Sequence, residues 1–302
     1  MHRRSDSSAP SSRRRQVALA VAAAVGLTVA VLPSAGAAAG TARIHAADAR
    51  VVVPTRGAAG PAKARQPLLL YHGGEILTSS VVHPIFWGSS WSSPTFTGDK
   101  MSGLDTLYGG LSGTSYAGTN TEYYGTNGQV GTTVTYTGDS VDTSAGPSHA
   151  PKVSDVLAEV ARTVGNPVAN GYYPVYVDLP RGHAGYCAWH SYGTINNVPV
   201  QFGFFFNLDG DPGCDPESTY SGSQGLKALA NVSGHEYSET ITDPRNGGWW
   251  DSSGAENADK CAWTFSGSPV RIGRTDWKIQ GNFSNAAYNA HSGYDGAGCI
   301  DR

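Results

Sequence analysis

Hydrophobic positions fall into three kinds of pattern along the 302-residue chain. The first is a continuous apolar run near the N-terminus, Val17 to Leu32, interrupted only by Gly26 and Thr28. The second is helical spacing. Val153, Val156, Leu157, Val160, Ala161 and Val164 recur three and four residues apart, which predicts an amphipathic helix over 154–164, stopped by Gly165-Asn166-Pro167. A second helix is predicted from about Ser223 to Thr242, where Asp243-Pro244 ends it because a proline ring cannot continue a helix. A shorter one is predicted over 100–111. The third pattern is dense apolar stretches of strand length: 81–87, with Pro84 marking an edge or bulge, then 173–179 and 198–208, with an alternating stretch at 132–137. Strands before and around two main helices predict an α/β (α+β) domain with a mixed sheet.

The N-terminal run is flanked by Arg3, Arg4 and Arg13 to Arg15 on one side and by the small residues Pro33 to Ala39 on the other. Basic, apolar and small-residue regions in that order predict a cleaved signal peptide over 1–40 and an exported, extracellular chain. The run is shorter than the roughly 20 residues that span a bilayer, so no membrane attachment is expected after cleavage. Residues 41–66 are rich in Ala, Gly, Arg and Pro and show neither helical nor strand period; they are expected to be a flexible leader or short pro-segment. Residues 67–302 then form a single globular domain, expected to be monomeric.

A net charge of −3 gives no electrostatic case for a nucleic-acid partner. The four cysteines, Cys187, Cys214, Cys261 and Cys299, all lie in the mature part. An even count in an exported chain implies two disulfides, with three pairings open; pairing between sequence neighbours is the expectation.

The candidate chemistry lies on the second helix, in His235-Glu236-Tyr237-Ser238-Glu239. Positions i and i+4 share a helix face, so His235 and Glu239 can reach one metal ion while Glu236 sits beside them. This is the zinc-peptidase H-E-x-x-H layout with Glu in place of the second His, and it predicts a zincin-like helix holding Zn2+, with Glu236 as the general base. Glu256, 17 residues after Glu239, is the first choice of third ligand; Asp259, either a ligand or a partner orienting His235, and His190 are the alternates. Tyr288 or His291 is a candidate for stabilising an oxyanion. Asp209, Asp211 and Asp215 share a turn that could take Ca2+ or be a plain acidic turn. Two classes of partner remain: a protein or peptide substrate for a zinc metallopeptidase, or a cell-wall polysaccharide stacked on exposed aromatics such as Trp91, Tyr123, Tyr124, Trp249 and Trp250 in a non-catalytic protein.

Several segments resemble, in order, the phosphate-induced protein 1 family, whose plant members are called EXORDIUM proteins. These are Tyr71-His72-Gly73-Gly74 with Val82 to Gly88 and Trp91; Gly185 to His190; Thr242-Asp243-Pro244 with Gly248-Trp249; Glu256 and Cys261; and Ala287 to Gly293 with Cys299. The resemblance spans most of 68–302 and implies an extracellular protein linked to the cell wall. It does not supply a biochemical activity, and the H-E-x-x-E helix is where this sequence departs from the plant pattern.

Overall fold

In the computed structural model, which describes residues 42–47, 50–58 and 68–302, the densest apolar stretches form the middle of one nine-stranded sheet. Its strands are β1 (Ile44–Ala46), β2 (Val51–Pro54), β3 (Ser80–Val82), β4 (Ile85–Trp87), β5 (Val134–Tyr136), β6 (Ser140–Asp142), β7 (Gly171–Pro180), β8 (Tyr186–Ile195) and β9 (Val198–Asn207). β7 is parallel to β9 on one side and to β3 and β4 on the other, and β5 and β6 extend the parallel part. β7 and β9 read as near-continuous apolar runs because both faces of these strands are covered. The outer part is antiparallel. β9 pairs with β8, and β1 and β2 both pair with the far side of β8. The expected α+β class with a mixed sheet is therefore what the chain adopts.

β8 is absent from the sequence reading. Its apolar residues are interleaved with His190, Ser191 and Gly193, so it shows no clean alternation. The signal that would have revealed it is Asn196-Asn197. Both residues have positive φ (51° and 68°), the two-residue turn that joins paired strands, and they sit between Ile195 and Val198. The leader reading is also corrected in part. Residues 44–46 and 51–54 are strands, held by the backbone of β8, and Val53 is fully buried. These strands are too short to show a period, yet three consecutive valines favour a pleated edge. The expected signal segment and part of the leader lie outside the described residues.

Three longer helices are α1 (Lys100–Gly110), α2 (Val153–Val164) and α3 (Gln224–Thr242), close to their predicted spans. The Ser223 hydroxyl caps α3 by accepting from the amide of Leu226. Both α2 and α3 pack on the sheet at β7, β8 and β9. On β8, His190 meets α3, while a side chain added at Gly193 would meet Leu157 of α2. Positions three apart on a strand point to opposite faces, so the two helices sandwich the sheet.

Every residue of α3 from Ala228 to Thr242 is buried. A helix enclosed on all sides must satisfy its polar groups internally. Most are tied down: Ser233 to the hydroxyl of Tyr176 (2.7 Å), Tyr237 to Ser80 (2.8 Å), and Asn231 to the amide of Gln280 (2.9 Å). Gly234 lets the chain at Ile279 approach, since a Cβ there would lie 2.7 Å from that side chain.

After α3 the chain wraps over it. Trp249–Trp250 pairs with Leu70–Tyr71, a helical turn covers Asp259–Cys261, and Asn282–Phe283 pairs with Cys299–Ile300. Disulfides join Cys187 to Cys214 and Cys261 to Cys299, the expected neighbour pairing. The first anchors β8 and the second anchors the turn that carries Asp259. No helix among the described residues is long and apolar enough to cross a membrane.

Candidate metal centre

The motif residues are among the side chains of α3 that keep unpartnered polar atoms, together with Asn231 and Thr240. His235, Glu236 and Glu239 are fully buried. Around them stand His190 from β8, Asp243 at the end of α3, and Glu256 and Asp259 from the overlying segment. Two three-residue groups have ligand atoms close enough to share a cation: His190, Glu236 and Glu239, and His235, Glu239 and Asp259. Glu239 belongs to both.

In the first group, His190 Nδ1 lies 2.9 Å from Glu236 Oε2 and 3.5 Å from Glu239 Oε2, and its Nε2 faces Glu256 Oε1 at 3.6 Å. In the second, His235 Nε2 lies 3.0 Å from Glu239 Oε1 and 3.5 Å from Asp259 Oδ1. The amide of Asp259 donates to Glu239 Oε1 at 2.9 Å. Four buried atoms in the cluster make no hydrogen bond: Glu236 Oε1, Glu239 Oε2, Glu256 Oε2 and His235 Nε2. His235 Nδ1 meets Gln280 Nε2 at 2.7 Å. That amide group also donates to the Ala258 carbonyl at 3.0 Å, and its oxygen accepts from the amide of Trp263 at 3.1 Å.

The electrostatics follow from this crowding. Five carboxylates, Glu236, Glu239, Asp243, Glu256 and Asp259, surround two histidines with little access to water. Burial pushes Glu256 well above the usual carboxylate range, and the charges of Asp243, Glu239 and Asp259 push it further. Burial and Glu239 likewise raise Asp259. Burial carries Glu236 up to about 7 despite its bond to His190. For Glu239, burial acts upward but is outweighed by the charge of His235 and the nearness of both imidazoles, leaving it at about 2. Even two charged imidazoles cannot balance five carboxylates. An unpaired buried carboxylate costs several kcal/mol, so the cluster must take up protons or a cation. Its donor set of imidazole and carboxylate suits zinc.

A cleft opens over this cluster, lined by Arg50, Val51, His190, Asp243, Asn246 and Glu256, among others. Only about 20 Å³ of it is free, room for roughly one water. It reaches His190 and Glu256 and does not reach His235. Strand β2 contributes Val51 to its lining, opposite His190 in the ladder.

Thus Glu236, Glu239, Asp259, His190 and Glu256 all converge where the sequence proposed, but their division differs. Asp259, rather than Glu256, stands with His235 and Glu239, and Glu256 faces His190. Asp243 has the expected turn role, accepting from the amides of Gly247 and Gly248 at 2.8 and 2.7 Å. Tyr288 packs on Phe283, His291 is exposed, and neither lines the cleft, which corrects their oxyanion reading.

The acidic turn does not gather its carboxylates for calcium. Asp209 pairs with Lys100, Asp211 makes a two-point pair with Arg181, and Asp215 accepts from the amide of Glu217. Of the aromatics expected at the surface, Trp91 and Tyr123 are core residues, Tyr124 is exposed, and Trp249 and Trp250 are half-buried. Trp249 packs among Tyr71, Tyr123 and Tyr124 in tilted and edge-on contacts.

Compared with known proteins, the chain matches no family model and no curated protein sequence.

Proposed function

We propose that this chain is an exported metal-dependent hydrolase that acts on peptides and takes zinc as its cation. The observation that carries the reading is the set of unpartnered, buried ligand atoms on Glu236, Glu239, Glu256 and His235 beneath an open cleft. Buried ligand atoms without partners call for an explanation, and here four of them lie in one cluster. When bound, zinc supplies Lewis-acid polarisation of a carbonyl oxygen.

The chain's own residues supply the rest. Glu239, shared by both three-residue groups, is the ligand common to either seat. Glu236, the base suggested by the motif alone, is walled in and does not line the cleft. Glu256 does line it, and a cation held nearby would offset the carboxylate charges that keep its proton on, so we assign it the proton-accepting role toward a water in the cleft. A peptide is favoured over a sugar by β2, which shows an extended polypeptide lying antiparallel on β8 with Val51 opposite His190. Export rests on the N-terminal signal pattern and agrees with the two disulfides. The resemblance to the phosphate-induced protein 1 family fits that location and adds no activity.

The test is metal content and peptide hydrolysis of the purified chain, with and without a chelator. One zinc per chain is expected, with hydrolysis lost to the chelator and restored by zinc. Glu256→Gln should keep the metal and lower turnover at least ~100-fold. A chain that takes up no stoichiometric metal, or whose hydrolysis ignores the chelator, would end the proposal.

A further inference from the structure

The cleft beside His190 has room for roughly one water, so no peptide fits there as the chain stands. Most of its lining belongs to β8, to the end of α3 and to the chain beyond it, but Arg50 and Val51 come from the N-terminal segment. That segment runs antiparallel along the outer edge of β8, the edge away from β9. Ile44–Ala46 stand opposite Ile195 to Gly193, and Val51–Pro54 opposite His190 to Tyr186. Regular pairing breaks between the two ladders at Ser191 and Tyr192, which line the cleft. One polypeptide thus passes the cleft with a paired strand on either side of it, as a bound peptide would.

Two observations mark β1 and β2 as laid on this edge rather than built into the sheet. Of their seven residues only Val53 is buried, against seven of ten in each of β7 and β9. The hold is also mostly on the main chain. The amides of Ala47, Thr55 and Arg56 donate to the carbonyls of Tyr192, Gly185 and Gly213, and the indole of Trp263 donates to the carbonyl of Pro54. Arg56 pairs with Glu217 at the surface, where such pairs contribute little. Main-chain bonds are open to any extended peptide, and β8 without β1 and β2 would present a ten-residue unpaired edge to one.

We propose that the outer edge of β8 is a binding site for an extended peptide, that β1 and β2 occupy it in that peptide's place, and that the chain is self-blocked until they leave. Hydrolysis of a peptide held there rests on the metal-dependent reading above; its binding does not. While joined to the body, β1 and β2 compete at an effective concentration of the order of millimolar, so a free peptide at micromolar concentration is excluded until the join is cut or the strands are weakened.

The experiment uses the full chain with the recognition site of a sequence-specific protease placed between Ala58 and Leu68, and, uncut, the full chain carrying Val53→Asp. The probe is a fluorescent synthetic copy of residues 42–56, followed by anisotropy. After cutting and dilution the probe should bind at least ~10-fold more tightly than to the uncut wild type, and it should protect the amides of Tyr186 to His190 from exchange. Val53→Asp should gain the same binding without a cut. Loaded with zinc, both opened forms should hydrolyse an unfolded polypeptide at least ~10-fold faster than the uncut wild type, and the free copy of 42–56 should slow them. An uncut wild type that binds the probe or hydrolyses as well as the opened forms would overturn the proposal. So would opened forms that stay folded, by far-ultraviolet circular dichroism, and do not bind. Unfolding of both opened forms would overturn it too, since β1 and β2 would then belong to the core. Probe binding without hydrolysis would leave the edge site standing and remove the hydrolase reading.

Discussion

Glu239 is the carboxylate common to both possible seats, so its charge is the sharpest single test of the metal reading. Glu239→Gln changes almost no volume. The amide oxygen can still accept from the amide of Asp259, which now bonds to Glu239 Oε1 at 2.9 Å. Without metal, the variant loses a charged hydrogen bond and the attraction of two imidazoles at 3.0 and 3.5 Å, and keeps a neutral bond. A destabilisation of about 1–2 kcal/mol is expected, the difference between a charged and a neutral hydrogen bond. With metal, the contrast is larger. Zinc at 1,000 times its dissociation constant stabilises the wild-type chain by about 4 kcal/mol through binding to the folded state alone. At roughly 2–4 °C per kcal/mol for a domain of this size, the melting temperature should rise by roughly 8–16 °C. Glu239→Gln should show almost none of that rise, because both candidate groups lose their common ligand. The assay is differential scanning calorimetry of wild type and variant after chelation, then with zinc restored. An equal zinc-induced rise in the two proteins would refute the argument that Glu239 holds the cation.

Calcium at the same concentration should leave the melting temperature within about 1 °C, because the carboxylates of Asp209 and Asp211 are already paired with Lys100 and Arg181; a rise comparable to that with zinc would contradict this. Replacing Cys187 and Cys214 together by serine opens a crosslink with a sequence separation of 27 and should cost about 3–4 kcal/mol, read as a lower urea midpoint and faster amide exchange along β8. Val53→Asp puts a charge at a fully buried position of β2. It should release that strand, so that amides of Tyr186 to His190 on the side of β8 facing β2 exchange at least ~10-fold faster while those of β9 stay protected, and unchanged exchange would show that β2 does not cover β8.

Much of the architecture was legible in the chain. The span of α2 follows from helical spacing and its Gly165-Asn166-Pro167 stop, and the end of α3 from Asp243-Pro244. β7 and β9 follow from apolar runs of strand length, and the disulfide pairing from the cysteines nearest in sequence. The helix motif was legible for the same local reason: His235, Glu236 and Glu239 are fixed relative to one another by 3.6 residues per turn, whatever surrounds them. β8 was not legible, because a strand whose one face meets α3 through His190 and whose other face must leave room for α2 at Gly193 cannot show a simple alternation.

The division of labour in the site was decided only in three dimensions. Sequence spacing placed Glu256 with His235, but the turn at Asp259–Cys261 carries Asp259 to His235 and leaves Glu256 facing His190 across the cleft. His235 Nδ1 meets the side-chain amide of Gln280, 45 residues away, whose orientation in turn depends on backbone groups of Ala258 and Trp263. Local periodicity determines which side chains share a helix face. Which ligand atoms meet one another depends on groups contributed by distant segments, His190, Glu256 and Asp259 among them, and that arrangement exists only once the chain has closed over α3.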